Sequence, residues 1–219
     1  AVVQEGCVTS IAQLLHTSKD PFTLQNALHA LSNLLIEHEN HLPIVQQGLI
    51  LTLVNMSNSN DDKLKELCAL AFFNMSCSGE SHKHIVNAGA IASLINLSQQ
   101  NVSVTKQRCA AALCNVSAYE SGTSRMVGDG IIPALVKLLS EDDITIHYSC
   151  AALCRLCSTQ ENSEIISQSG GVPSLVEGTL KGPKATKQFC GAVLSALSFY
   201  EVCRSPLCDF GAIAAFKSL

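Results

Sequence analysis

Cys150, Cys154 and Cys157 are the residues of this chain whose type and spacing most suggest chemistry. Closely spaced thiolates can hold an iron–sulfur cluster, and cysteines together with histidines can bind zinc. The chain carries 11 cysteines and 7 histidines, so both kinds of ligand are available. Whether these side chains meet depends on the elements that carry them.

Glycines that precede apolar stretches recur with a period of about 41 residues, at successive spacings of 42, 41, 41, 40 and 41. They are Gly6, Gly48, Gly89, Gly130, Gly170 and Gly211. A second landmark follows each of the first five; it reads Ala-Leu-Ser-Asn-Leu at 30–34 and Ala-Phe-Phe-Asn-Met at 71–75. Two landmarks that share one period across the chain indicate a repeat array.

Hydrophobic periodicity predicts three helices in each repeat. After Gly89, the apolar residues Ile91, Leu94 and Ile95 fall on one helical face. A polar stretch follows, and then a long helix is predicted over about 104–117 and a short one near 124–127. Gly130 ends the short helix as a left-handed cap would. No segment shows sustained strand alternation, so the sequence predicts an all-α fold.

At these residues the sequence resembles armadillo repeats. The matching segments are Gly-Ile-Ile-Pro-Ala-Leu-Val-Lys-Leu-Leu at 130–139, Gln-Arg-Cys-Ala-Ala-Ala-Leu-Cys-Asn-Val-Ser at 107–117 and Ile-Val-Asn-Ala-Gly-Ala-Ile at 85–91. The resemblance covers the full chain. It implies a right-handed superhelical solenoid of about five repeats of three helices plus partial ends, with the third helices lining a concave groove.

The ends of the chain also match the repeat. Residues 1–5 resemble the tail of a first helix, and residues 211–219 resemble a sixth repeat cut inside its second helix. We expect residues 1–219 to form a single array with repeat anchors near 6, 48, 89, 130, 170 and 211. The apolar residues near 214–219 further suggest a fragment of a longer array, because terminal repeats normally carry polar caps.

An asparagine recurs near the end of the third helix in the first three repeats, as Asn33, Asn74 and Asn115, and Arg155 and Ala196 replace it later. In armadillo proteins that bind extended peptides, such as importin-α and β-catenin, this position lines the groove and its amide bonds the ligand backbone. The resemblance therefore implies a peptide groove with these candidate residues: Asn33, Asn74, Asn115, Arg155, His29, Arg108 and Tyr148. Alternatively, the asparagines cap or brace neighbouring loops, and Arg155 is a solvated surface arginine.

The neighbouring groove positions depart from those two relatives. Four residues before each ladder position, where importin-α typically carries tryptophan, this chain has His29, Leu70, Ala111, Ala151 and Ala192, and it has no tryptophan. Recognition of nuclear import signals by that mechanism is therefore not expected. Further groove candidates are of mixed character and include Gln25, Glu66 and Gln188 besides Arg108, Tyr148 and Arg155. This mixture predicts a ligand with both polar and apolar character.

The repeat gives the cysteines a structural interpretation. The spacing of Cys150, Cys154 and Cys157 matches that of radical S-adenosylmethionine enzymes, but here all three lie in a predicted long helix. Cys68, Cys109 and Cys190 share one repeat position with Ala27 and Ser149, a pattern typical of small buried residues. We therefore expect no metal site, no cofactor and no enzymatic activity. The loop histidines, His38, His41, His82 and His84, are expected to be solvated.

Composition narrows the functional classes. The net charge is -4 and the 14 basic residues are scattered, which gives no support for nucleic acid as the partner. Apolar runs are too short for a membrane span, and the odd cysteine count favours a reducing compartment, the cytoplasm, with nuclear or ciliary locations also compatible.

The predicted function is a non-enzymatic scaffold that binds an extended peptide segment of a partner protein. The alternative is a structural segment of a large cytoskeletal or ciliary assembly, held through convex surfaces and ends.

Overall fold

The protein is all-helical in a computed structural model that describes residues 5–219, and no strand occurs within that range. Its contacts divide the chain into two compact units, Ala1–Gly122 and Thr123–Leu219. The all-α prediction is confirmed. The expected helix tail at 1–5 falls almost entirely outside the described residues, and the first described helix begins at Glu5.

The first unit contains two complete three-helix repeats and the second and third helices of the repeat before them. Its helices are α1 (Glu5–Thr17), α2 (Pro21–Leu34), α3 (His41–Gln46), α4 (Leu49–Met56), α5 (Asp62–Ser76), α6 (Gly79–Asn87), α7 (Ala90–Leu97) and α8 (Ser103–Val116). The long third helices α2, α5 and α8 pack side by side. The predicted long helix over about 104–117 is α8, so its bounds are correct to within one residue.

The second unit also contains two complete repeats and then the first two helices of a further one. Its helices are α9 (Thr123–Gly128), α10 (Ile131–Lys137), α11 (Asp143–Leu156), α12 (Gln160–Gln168), α13 (Gly171–Lys181), α14 (Lys184–Ser198), α15 (Glu201–Asp209) and α16 (Ala212–Lys217). The third helices here are α11 and α14, and they pack against each other. The predicted short helix near 124–127 is α9.

Five of the six repeating glycines form the junction between a first and a second helix. They are left-handed, with φ of 72° at Gly48, 76° at Gly89, 88° at Gly130, 82° at Gly170 and 80° at Gly211. A side chain at each position would meet no atom within 4 Å, so backbone conformation and not space is what requires glycine. Gly6 differs, because it lies inside α1 and has no positive φ.

The long third helices are started by aspartates in three repeats. Asp20 accepts hydrogen bonds from the backbone N–H and the hydroxyl of Thr23, at 2.8 and 2.6 Å, and Pro21 begins α2. In the sequence, an aspartate followed by proline predicts a helix start, and the structure confirms it at Asp20 and Pro21. Asp61 and Asp142 cap α5 and α11 in the same way, each through two backbone N–H groups. These caps fix the residue at which each of these third helices begins. They thereby fix the position of the later side chains along the helix.

One third-helix position is filled by small buried residues, as the repeat predicts. Cys68 and Cys109 in the first unit, and Cys190 in the second, are at most 1% exposed. Ala27 and Ser149 at the same position are also buried. All three cysteines carry free thiols, and such small side chains allow neighbouring third helices to approach closely.

Cys150 and Cys154 lie in α11 and Cys157 directly follows its last residue, so the helix holds two of the three expected cysteines, and the triplet does not converge on one point. The Cys150 sulfur lies 3.8 Å from that of Cys190 on α14, whereas the Cys157 thiol donates to the Cys154 carbonyl at 3.3 Å. Within residues 5–219, no three side chains among His, Cys, Asp and Glu are arranged to hold a metal ion. No described helix is both long and apolar enough to cross a bilayer.

Two of the loop histidines are buried, which corrects the expectation that they are solvated. His41 and His82 bond the carbonyls of Leu35 and Ser76, each at 2.8 Å, just beyond or at the end of the preceding third helix. Asn162 donates to the Leu156 carbonyl at 2.7 Å in the second unit. Helix ends leave carbonyl groups without intrahelical partners, and these side chains satisfy them.

Candidate functional site

The three asparagines predicted to line the groove lie on the adjacent third helices of the first unit. Asn33 is in α2, Asn74 in α5 and Asn115 in α8, each at the last or second-last turn of its helix. We call these three residues the amide ladder. Asn33 is exposed, and the other two are half-buried.

Two members of the amide ladder bond the preceding repeat. The Asn74 side-chain amide donates to the Ser32 carbonyl at 2.8 Å. The Asn115 amide donates to the Ser76 hydroxyl at 3.1 Å. Each asparagine thus braces the C-terminal end of the neighbouring third helix. Asn74 supplies a donor to one of the carbonyl groups there, whereas Asn115 donates to a side-chain hydroxyl.

Bracing leaves part of each amide available. An asparagine side chain has two N–H donors and an oxygen that can accept two hydrogen bonds. In Asn74 and Asn115 the bracing bond uses the nitrogen only. Asn33 forms no side-chain hydrogen bond with any residue of the described chain, and no third helix precedes α2 there. The amide ladder therefore holds neighbouring helices together and retains acceptors for a further group.

A pocket of about 220 Å³ lies beside the amide ladder, toward the N-terminal half of the same three helices. We call it the charged pocket, and its lining residues are Gln25, Asn26, His29, Lys63, Glu66, Leu67, Leu70 and Arg108. His29 and Arg108 were both predicted as groove residues, and the structure brings them to one pocket. His29 and Leu70 lie four residues, about one helical turn, before Asn33 and Asn74.

Glu66 is the centre of the charges in this pocket. One of its oxygens lies 3.0 Å from the Lys63 ammonium, and the other lies 3.3 Å from the Arg108 guanidinium. The hydrogen bond from Lys63, opposed in part by burial and helped by Arg108, lowers the pKa of Glu66. This carboxylate is therefore held in its charged form and links α5 to α8.

A second polar link lies on the other side of α5. The Gln25 side-chain amide donates to Asp61 at 3.0 Å, so α2 is tied to the cap of α5. Backbone N–H donation from Leu64, followed by the Gln25 bond, lowers the pKa of Asp61. Polar side chains on three successive third helices are thereby fixed in position before any ligand arrives.

The sequence named Glu66, Gln25 and Arg108 as groove candidates and did not name Lys63, which lines the same pocket. The spacing of Lys63 and Glu66, three residues apart, places them on one helical face and could have revealed the pair. The link from Glu66 to Arg108 spans 42 residues. It follows from the packing of α5 against α8.

In the second unit, the predicted residues Tyr148 and Arg155 both lie on α11. Arg155 is exposed and Tyr148 is half-buried. The neighbouring His147 ring meets the Phe189 ring of α14 edge-on, with centroids 4.0 Å apart. Here an aromatic contact between third helices occupies the register at which Glu66 and Arg108 form an ion pair in the first unit.

No protein-family model and no curated protein matches this chain. Solved structures do match it. Computationally designed armadillo repeat proteins for modular peptide recognition superpose with a TM-score of 0.88 at 21% identity, over 97% of this chain and 91% of theirs. An engineered protein matches at 0.84 and 25% identity, over 97% of this chain and 88% of that one.

A third structure contains a ligand. It is a designed armadillo repeat protein in complex with the peptide (KR)4, with a TM-score of 0.84 and 19% identity over 97% of this chain and 91% of that one. At such identities the similarity establishes the fold alone. The fold expected from the sequence, an all-α armadillo repeat fold, is thus confirmed.

Proposed function

We propose that this protein is a non-enzymatic scaffold whose first unit binds an extended segment of a partner protein across α2, α5 and α8. The observation that carries the proposal is the alignment of the amide ladder beside the charged pocket on three successive helices. The ladder offers hydrogen-bond acceptors to a backbone, and the pocket offers charged and apolar groups to a side chain. Structurally similar designed proteins were made for peptide recognition, which supports this assignment.

The spacing of the helices suits an extended ligand. Packed helices lie about 8–10 Å apart, and an extended chain rises about 3.3 Å per residue. One ladder asparagine would therefore meet every second or third residue of the peptide. Because each asparagine side chain would bond the backbone of the peptide, the ladder would hold the segment without selecting its side chains.

The chemistry of the thiols agrees with a role in packing. Burial raises the pKa of Cys68 to about 12 and that of Cys157 to about 11. A thiol with a raised pKa is a poor nucleophile at neutral pH. We infer that these cysteines are structural and that the protein acts by binding.

A second proposal, a structural role within a larger assembly, is favoured by apolar residues exposed in the second unit. Phe199 is 80% exposed and Phe210 is 53% exposed. Such rings would be covered if the unit packed against another protein through surfaces other than the groove. Arg155 and Tyr148 on α11 would then be part of a separate contact surface.

The structure offers a clean test of the amide ladder, because one member has no bracing bond. A peptide display library would first be selected on the purified 219-residue chain. Replacing Asn33 with alanine should weaken a selected peptide about fivefold, the value of one ordinary hydrogen bond, with unchanged unfolding. Asn74→Ala should weaken binding similarly and also lower the free energy of unfolding by about 1 kcal/mol, because the bond to Ser32 is lost.

Asn96→Ala is the matched control, since Asn96 is exposed on the second helix α7 and should change neither quantity. Affinity would be measured by fluorescence anisotropy and stability by urea unfolding. An Asn33→Ala protein that binds as tightly as the parent would exclude the amide ladder as the binding surface. Selected peptides that cross-link to first or second helices, or beside Phe199, would favour the assembly role instead.

A further inference from the structure

The charged pocket has more positive than negative charge. Among the residues that line it, Lys63 and Arg108 share the single carboxylate of Glu66, which leaves one positive charge in excess. The Asp61 carboxylate lies outside the lining and accepts a hydrogen bond from Gln25 at 3.0 Å. Within the described residues, neither cation has a second carboxylate within 4 Å. Lysine has three N–H donors and arginine has five, so most of the donors in this pocket are not used within the protein.

Arg108 is the more restricted of the two cations. Glu66 contacts Lys63 with one oxygen and Arg108 with the other, at 3.0 and 3.3 Å. The Arg108 side chain is only 24% exposed, so its position is restricted by its surroundings. The Lys63 side chain is 54% exposed and is held through Glu66. A group that binds beside Glu66 therefore meets one pre-positioned donor group, that of Arg108, and the ordering cost of that contact is reduced.

The remaining walls suit a side chain with an apolar stem. Leu67 is buried and Leu70 is half-buried, and both face the same pocket as His29. A volume of about 220 Å³ admits a residue the size of glutamate and not a folded element. The pocket thus combines an apolar wall with surplus cationic donors.

We propose that the charged pocket selects a carboxylate side chain, aspartate or glutamate, on the bound peptide. The proposal rests on peptide binding by the first unit and adds the class of side chain that the partner presents to Lys63 and Arg108. Charge-assisted hydrogen bonds to a carboxylate are stronger than neutral ones. A lysine or arginine at the same point would compete with Lys63 and Arg108 for Glu66 and meet an excess of like charge. The preferred ligand therefore differs in charge from the (KR)4 peptide bound by the designed protein.

The test uses acetylated and amidated decapeptides in which serine alternates with glutamate, glutamine or lysine. Blocked ends remove terminal charges, so a carboxylate in the side chain is separated from one at a C-terminus. We expect the glutamate peptide to bind about tenfold more tightly than the glutamine peptide, and the lysine peptide to bind most weakly. Addition of a glutamine peptide with a free C-terminal carboxylate would show whether a chain end binds instead.

Two variants with opposite expected effects on peptide affinity identify the pocket as the binding site. Arg108→Gln should weaken the glutamate peptide about tenfold. Glu66→Gln, which removes the competing carboxylate, should strengthen the same peptide. Lys83→Gln is the control for net charge, because Lys83 is exposed on the first helix α6, and it should have no effect. Circular dichroism and urea unfolding would verify that each variant is folded.

The outcomes separate this inference from the proposed function. If all peptides bind alike and Asn33→Ala weakens all of them, the groove is a peptide site but the carboxylate preference is wrong. A tighter lysine peptide, a free C-terminus that alone binds, or an unchanged affinity in Arg108→Gln would each overturn the preference. If no peptide binds the folded chain, both proposals fail.

Discussion

Single residues fix this fold chiefly where the backbone must turn between a first and a second helix. Gly89 has a φ of 76°, and a side chain there would meet no atom within 4 Å. Its requirement for glycine is therefore conformational. Gly79, the first residue of α6, has equally open surroundings but no positive φ. The two positions differ in backbone conformation alone.

Replacement of each glycine by alanine should therefore have opposite effects. Gly89→Ala should lower the free energy of unfolding by about 1 kcal/mol, because an alanine resists the left-handed region. Gly79→Ala should leave it unchanged or raise it by about 0.5 kcal/mol, since the unfolded chain loses freedom. Urea unfolding monitored by circular dichroism measures both. Equal losses in the two variants would show that side-chain space, and not φ, sets the requirement.

At the scale of elements, buried side chains tie the first helix of one repeat to the third helix of the previous one. The His41 ring at the start of α3 bonds the Leu35 carbonyl at 2.8 Å and the Ser81 hydroxyl of α6 at 2.9 Å. A carbonyl can only accept, so Nε2 donates to Leu35 and Nδ1 of the neutral ring accepts from Ser81. One imidazole thereby joins elements of three repeats.

This link makes stability depend on pH. Burial is the main cause that lowers the pKa of His41 below its ordinary value of 6.5, and the nearby His38 adds to it, while the Leu35 carbonyl and Glu80 oppose it. The unfolded chain then binds more protons than the folded one near that pH. The contribution of neutral His41 is fully present above about pH 6.5 and is lost as the pH falls below that value.

We therefore expect the urea concentration at the unfolding midpoint of the parent protein to decrease when the pH is lowered from 7.5 to 5.5. His41→Gln should show a smaller fall over this range, because the buried titrating group is gone. Asn87→Gln, a change of an exposed residue in α6 that carries no titratable group, serves as the control and should retain the pH dependence of the parent. A parent midpoint that rises toward pH 5.5 would contradict the assignment of a neutral buried ring.

At the scale of the whole molecule, the eleven cysteines are distributed over both units, so the reactivity of their thiols probes the packing of each unit. Cys7, Cys77 and Cys208 are exposed, Cys154 is intermediate, and the other cysteines are buried: Cys68, Cys109, Cys114, Cys150, Cys157, Cys190 and Cys203. Burial both blocks access and, at Cys68 and Cys157, raises the thiol pKa. Native reactivity should therefore follow exposure along the chain.

Titration of the native protein with a disulfide reagent such as DTNB should label the three exposed thiols quickly. Cys154 should react slowly, and the buried thiols should react only after urea unfolds the chain. Mass spectrometry of the quenched protein assigns each labelled site. Rapid labelling of Cys150 or Cys157 in the native state would mean that α11 does not pack as described.

The sequence by itself determined the repeating helices, because the signals involved are local or periodic. Apolar spacing defined the helices, and Asp20 with Pro21 defined a helix start through chemistry contained within four residues. The common repeat position of Cys68, Cys109 and Cys190 indicated a small buried side chain without reference to any partner. The amide ladder was also visible, because its members share one register along the chain.

Only the tertiary structure decided what those side chains contact. Glu66 and Arg108 are 42 residues apart, and their ion pair depends on how α5 packs against α8. The bond from Asn74 to Ser32 likewise depends on where one third helix ends beside the next. Such contacts are set by the relative rotation and offset of packed helices, and periodicity within a chain does not specify either. The burial of His41, which the sequence treated as a loop residue, arises for the same reason.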